Sequence, residues 1–147
     1  MHDLPQRFES DSVGRALALV GERWTLLILR EAFFGVRRFG ELSRNLGIPK
    51  PTLSTRLRSL VDTGLLDRVP HGDHHEYRLT ARGRDLFPAI VALMNWGDTH
   101  LGGPAIVLRH HQCGELAEPR LVCAHCDGEI TSGSVTPEPV VGSRSGD

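Results

Sequence analysis

The sequence predicts a mainly α domain with a small β-hairpin, on three observations. Apolar residues recur at helical spacing in successive segments closed by glycines, Gly21, Gly35, Gly47, Gly64 and Gly102. Two short strand-like runs, Leu65–Val69 and Glu76–Leu79, flank a Gly72-Asp73 turn signal. Beyond residue 104 the helical pattern stops, and all three cysteines, Cys113, Cys123 and Cys126, lie there.

Residues 1–9 read as a loose arm. Ser10 or Asp11 can cap the first helix, on which Val13, Ala16, Leu17 and Val20 share a face. Gly21 breaks it. The second helix begins near Glu22–Arg23. Trp24, Leu26, Leu27, Ile28, Leu29 and Phe34 make it apolar nearly all round, which suits the centre of a core, and Gly35 is its stop. Phe39, Leu42 and Leu46 mark a short third helix ended by Gly47, and Ile48 plugs the turn. Pro49, Lys50 and Pro51 open a fourth helix, where proline is tolerated, with Leu53, Leu57, Leu60 and Val61 as its buried stripe and Gly64 as its end. Two short helices joined by such a turn are a helix-turn-helix, and a hairpin directly after them is a wing. Thr80 caps a last long helix reaching Leu101. Leu86, Ile90, Leu93 and Met94 line one face of it, Trp96 and Leu101 stand near its end, and Pro88 is expected to kink it.

This organisation gives a winged helix-turn-helix domain over residues 1–104. A small Cys/His module follows over 105–130, with a short strand within AIVLRHHQC. The Ser-, Gly- and Pro-rich stretch 131–147 is expected to be disordered. No internal repeat is evident.

The chain has 147 residues, 39% of them apolar and 24% charged, a globular composition for one domain plus accessories. Its net charge of −1 argues against a nucleic-acid partner, but that average conceals a split. Residues 1–109 carry 15 Lys and Arg against 12 Asp and Glu, and residues 110–147 carry 2 against 6. Between 37 and 58 there are six bases (Arg37, Arg38, Arg44, Lys50, Arg56 and Arg58) and one acid, Glu41. That local excess is the footprint of a nucleic-acid-binding surface.

VGRALALVGERWTLLILRE, FFGVRRFGELSRNLGI, TLSTRLRSLVDTGLL and EYRLTARGRDL follow one another in order from Val13. Together they resemble the HxlR-type family of bacterial winged helix-turn-helix regulators, over roughly two thirds of the chain, and four linked motifs are far more specific than one. The resemblance implies a dimeric DNA-binding transcription factor whose first and last helices form the dimer contact. In one respect the chain departs from it. Where many oxidant-sensing members carry a cysteine just before the V-x-x-A-L pattern, this chain has Ser12, and a hydroxyl offers no thiolate for redox chemistry.

With Leu53, Leu57, Leu60 and Val61 facing inward, the outer face of the fourth helix holds Pro51, Thr52, Thr55, Arg58 and Ser59. Arg56 lies on its shoulder and Lys50 at its entrance. These residues are expected in the major groove. Thr52 and Thr55 suit base edges, thymine methyls or phosphates, and Arg58 or Arg56 can fork onto guanine. Arg37 and Arg38, ahead of the third helix, are candidates for phosphate anchoring. Arg78 on the second wing strand and His74 at the wing tip are candidates for the adjacent backbone or minor groove, with histidine helping only when protonated. The cluster His71, Asp73, His74 and His75 is read as a solvated loop rather than a metal site, because adjacent residues on a strand point apart. Trp24 and Trp96 are read as packing anchors or, alternatively, as the lining of an effector pocket. The identity of an effector is not legible.

His110-x-x-Cys113-Gly114 and Cys123-x-x-Cys126-x-Gly128 pair two knuckles with ligands three apart. This suits a structural Cys3His zinc site of His110, Cys113, Cys123 and Cys126. His111 or His125 could replace His110, and a hairpin with free or oxidised thiols is the alternative.

The function expected is therefore a sequence-specific regulator, a repressor, that binds an inverted repeat in double-stranded DNA as a homodimer. The two recognition helices would lie about 34 Å apart. The alternative is a winged-helix protein-interaction module. No nucleophile-elbow, P-loop or dinucleotide fingerprint is present, and Asp98 with His100 is a weak pair, so an enzyme is not expected. No apolar run is long enough to span a bilayer and no signal-peptide core precedes the first helix, so the expected location is the cytoplasm, without membrane partners.

Overall fold

Asp11 opens helix α1 (Ser12–Val20) by accepting the Gly14 N–H at 2.7 Å, and Glu22 opens α2 (Arg23–Phe33) by accepting the Trp24 N–H at 2.9 Å. These caps belong to a computed structural model that describes residues 11–138. The expected arm at 1–9 lies outside the described residues, as does the end of the tail, 139–147. The chain divides into two compact units, Met1–Leu101 and Gly102–Asp147.

In the first unit α3 (Phe39–Leu46) ends on Gly47, whose φ of +64° is a left-handed conformation that glycine adopts without steric cost. Ile48 is buried behind it, and α4 (Lys50–Asp62) starts with Pro49 as cap and Pro51 in its first turn. Strands β1 (Leu66–His71) and β2 (His74–Leu79) pair antiparallel from Leu66↔Leu79 to His71↔His74. The hairpin thus runs further towards its tip than the sequence suggests. Gly72, at φ +59°, turns it. The Tyr77 N–H donates to the Arg37 carbonyl at 2.8 Å, which ties the wing to the entrance of α3.

The expected long last helix is two helices, α5 (Ala81–Arg84) and α6 (Phe87–His100). Pro88 does not kink a continuous helix. It lacks an N–H and its ring clashes with a preceding carbonyl, so it sits in the first turn of a new one. Thr80 caps α5 by accepting the Gly83 N–H at 3.0 Å, while its hydroxyl donates to the Gly64 carbonyl. Gly83 lies so close to the Leu65 carbonyl that a Cβ there would collide with it.

The core joins Ile28 and Leu29 of α2, Leu42 of α3, Ile48, the Leu53, Leu57 and Leu60 stripe of α4, Leu65 and Leu66 of the wing, Val20 and Ile90. Trp24 packs partly against it. The remaining apolar faces of α1 and α6 do not. Val13 is 66% exposed, Leu17 55%, Leu93 56% and Trp96 57%. The shared stripe expected on α1 therefore splits, with only Val20 reaching the core. On α6 Leu93 stands outside the Leu86, Ile90 and Met94 stripe, and Trp96 stacks on His100 at 5.0 Å instead of anchoring the core.

The two knuckles paired in the sequence share one backbone pattern in the second unit. The His110 N–H donates to Glu115 O, Gly114 to His110 O and Ala117 to Leu108 O. Thirteen residues on, the Cys123 N–H donates to Gly128 O, Asp127 to Cys123 O and Ile130 to Leu121 O. The bridges Arg109↔Leu116 and Val122↔Glu129 obey the same offset. Gly114 (φ +75°) and Asp127 (φ +58°) hold the same left-handed position. The two knuckles are one motif used twice, disguised because histidine stands for cysteine at 110 and aspartate for glycine at 127.

Candidate nucleic-acid interface

A cleft of about 740 Å³ runs between the start of α3, the outer face of α4 and the wing. Arg38 and Arg44 come to it from α3 and its entrance, Ser54 and Arg58 from α4, Arg68 from β1, and His74 and His75 from β2. Each arrives there for a local reason. Leu53, Leu57 and Leu60 pull one side of α4 inward, which turns Ser54 and Arg58 outward. The hairpin register sets Arg68 opposite Tyr77 on the cleft wall.

The cations around this cleft fall into two groups. Arg78 donates twice to the buried Glu76, Nε at 3.0 Å and Nη2 at 2.9 Å, and Arg37 approaches the same carboxylate at 3.9 Å. His71 lies 3.7 Å from it. The Arg78 hydrogen bonds, helped by His71 and Arg37 and opposed by burial, hold the Glu76 carboxyl below its ordinary value. Arg56 Nε lies 3.3 Å from Glu22 without hydrogen-bond alignment and is half-buried, so it ties α4 to α2. In contrast Arg38, Arg44, Lys50, Arg58 and Arg68 are exposed, and none is ion-paired to an acid among the described residues.

Among the residues singled out from sequence, the cleft gathers Arg38, Arg58 and His74. Lys50, Thr55 and Ser59 are exposed along α4 beside it, and the Thr55 hydroxyl donates to Pro51 O at 3.1 Å. Thr52 is half-buried. Arg37 and Arg78 are gathered on Glu76, and Arg56 on Glu22. The cleft also holds Arg44, Ser54, Arg68 and His75, of which only His75 stood among the sequence candidates, as part of the wing tip. Arg44 was visible in the local charge excess, and Arg68 becomes visible once the hairpin register is known.

In the second unit His110 Nδ1 lies 3.5 Å from Cys113 Sγ. The backbone N–H groups of His125 and Cys126 point at the Cys123 sulfur and hold its thiol below the ordinary range. All three cysteines are free, and among the described residues no three potential ligands are gathered closely enough to hold a metal ion.

A family profile described as HxlR-like helix-turn-helix matches residues 19–103, more than half of the chain. The chain belongs to the HxlR-like helix-turn-helix family. Its relatives include the uncharacterized HTH-type transcriptional regulator Rv3095 of Mycobacterium tuberculosis, 68% identical across 97% of this chain and 94% of that protein. Among solved structures it is similar to the candidate transcription factor PA1607, with a TM-score of 0.79 and 35% identity over 88% of this chain and 94% of that one. A second candidate transcription factor, PA1374 of Pseudomonas aeruginosa, aligns with a TM-score of 0.59 and 33% identity over 88% of this chain and 93% of that one. Residues 104–147 are 30% of the chain, so an 88% match to PA1607 includes part of the Cys/His unit.

The HxlR-like assignment fits the winged helix-turn-helix geometry and brings DNA binding and transcription regulation with it. No helix among the described residues is long and apolar enough to cross a membrane. At the position of the thiol expected in oxidant-sensing members, Ser12 is exposed and its hydroxyl accepts from Arg15 Nη2 at 3.4 Å.

Proposed function

We propose that this HxlR-like chain is a homodimeric repressor that binds an inverted-repeat operator through the cleft between α4 and the wing. The observation that carries the reading is the division of the cations. Arg56 and Arg78 are spent on intramolecular carboxylates, while Arg38, Arg44, Lys50, Arg58 and Arg68 are exposed and have no acidic partner among the described residues. Exposed guanidinium groups on a concave wall suit a phosphate backbone, although Arg68 Nη2 also lies 3.3 Å from His75 Nδ1, and Arg58 on the exposed face of α4 suits a guanine edge. Homodimerisation is supported by Val13 and Leu17 on α1 and Leu93 and Trp96 on α6, large apolar groups that the core does not cover. Two copies related by a twofold axis require an operator with the same symmetry. Occupying such a site in a promoter blocks transcription, which gives repression.

The test is selection of duplexes from a random pool with the full chain, followed by binding across a salt series. A selected inverted repeat, bound with a steep loss of affinity as salt rises, supports the reading. Retention of random duplexes with no enriched sequence refutes it. A reporter driven by a promoter bearing the selected site should fall when the chain is expressed.

A further inference from the structure

We propose that the two knuckles of the second unit are halves of one structural zinc site, with His110, Cys113, Cys123 and Cys126 of the same chain as its four ligands. The repeated hydrogen-bond pattern is the first support. It places His110 at the position of Cys123 and Cys113 at that of Cys126, so the four groups fall at equivalent points of two identical turns. The same register sets His111 against Ala124 and Gln112 against His125, and so selects His110 among the neighbouring histidines. Spacing is the second support. Tetrahedral zinc with bonds of about 2.1 Å to nitrogen and 2.3 Å to sulfur sets its ligand atoms about 3.6 Å apart. His110 Nδ1 and Cys113 Sγ already stand 3.5 Å apart.

Topology supplies the third support. Each knuckle is the tip of a hairpin, and the first hairpin returns to Ala117 before the second leaves from Leu121. Four residue steps span at most about 14 Å, so the hairpin bases stay close, and although no three of the ligands are gathered among the described residues, the connection is short enough for a metal to draw the two pairs together. Finally, this unit has little core of its own. Val107 and Leu121 are more than half exposed, and Cys123 itself is only half-buried. A metal would supply the cross-link that apolar packing does not. As it binds, the three thiols release their protons to solvent and coordinate as thiolates, while His110 coordinates as neutral imidazole. Four protein ligands close the site, so its role is structural.

The test titrates cobalt(II), then zinc(II), into the full chain, made metal-free and carrying no histidine tag. One equivalent of cobalt per chain is expected, with the strong visible absorption of tetrahedral coordination and a sulfur-to-cobalt charge-transfer band, both abolished by one equivalent of zinc. Cys113→Ser, Cys123→Ser, Cys126→Ser and His110→Ala should each lower cobalt affinity at least about tenfold. His111→Ala and His125→Ala should leave the spectrum unchanged. The melting curve of the winged unit verifies that each variant is folded. Weak octahedral absorption only, an unchanged spectrum in His110→Ala, or loss of the site in His111→Ala overturns the assignment. Recovery of the spectrum on mixing a His110→Ala/Cys113→Ser chain with a Cys123→Ser/Cys126→Ser chain overturns the placement of all four ligands in one chain.

Discussion

Arg58→Ala isolates the groove-facing chemistry of α4. Its side chain is exposed, lines the cleft and has no acidic partner among the described residues, so truncation removes no ion pair seen there. A guanidinium forked onto guanine is worth about 1–3 kcal/mol. That corresponds to about fivefold to 150-fold in affinity per half-site, and the effect acts twice in the proposed dimer. Loss of two cations from the dimer should also flatten the slope of log affinity against log salt by about 1.8 if both lie on phosphate, and by much less if they read bases. The matched control is Arg78→Ala. That guanidinium is held by Glu76 through two hydrogen bonds and should matter less to DNA. Fluorescence anisotropy with a selected operator and a random duplex, at several salt concentrations, separates these outcomes. If Arg58→Ala stays within twofold of the parent on both duplexes while remaining folded, α4 does not present its outer face to the groove.

Leu93→Glu should convert the proposed dimer to monomer in sedimentation velocity and leave the thermal midpoint of the winged unit nearly unchanged; a persistent dimer removes α6 from the interface. Gly83→Ala forces a Cβ against the Leu65 carbonyl and should cost about 1–3 kcal/mol, read as a lowered denaturation midpoint. Equal stability would mean that α5 can lift off the strand without cost. Glu76 has a folded pKa lowered chiefly by Arg78. Its contribution is present above the unfolded value of about 4.3 and is lost as pH falls through the lower folded value. Glu76→Gln should therefore weaken the protein at neutral pH and flatten the acid limb of its stability curve, and an unchanged limb would place the acid sensitivity elsewhere.

Local chemistry made much of the winged unit legible. Asp11 and Thr80 cap helices because their short oxygens reach an N–H three residues on, and Gly47 and Gly72 mark turns because they adopt positive φ. The leucine stripe of α4 follows from periodicity alone. Tertiary pairing was hidden. Val13 and Leu17 have the spacing of a core-facing stripe, and nothing local distinguishes a stripe bound for the core from one left outside it. Arg56 and Arg58 are the same residue type two positions apart, yet one meets Glu22 and the other remains uncommitted, a division that depends on helix packing. Pro88 obeys the rule for first turns, but only Leu86 leaving the helix shows that a first turn occurs there. The paired knuckles were legible as two ligand pairs, but their common thirteen-residue backbone register was not, because His110 and Asp127 change the letters while preserving the backbone.

The surface left bare by Val13, Leu17, Leu93 and Trp96 has a consequence for dosage. If copies pair through it, as proposed above, the number of pairs rises with the square of abundance when copies are scarce. A modest change in synthesis then becomes a larger change in gene occupancy, with no small-molecule signal required.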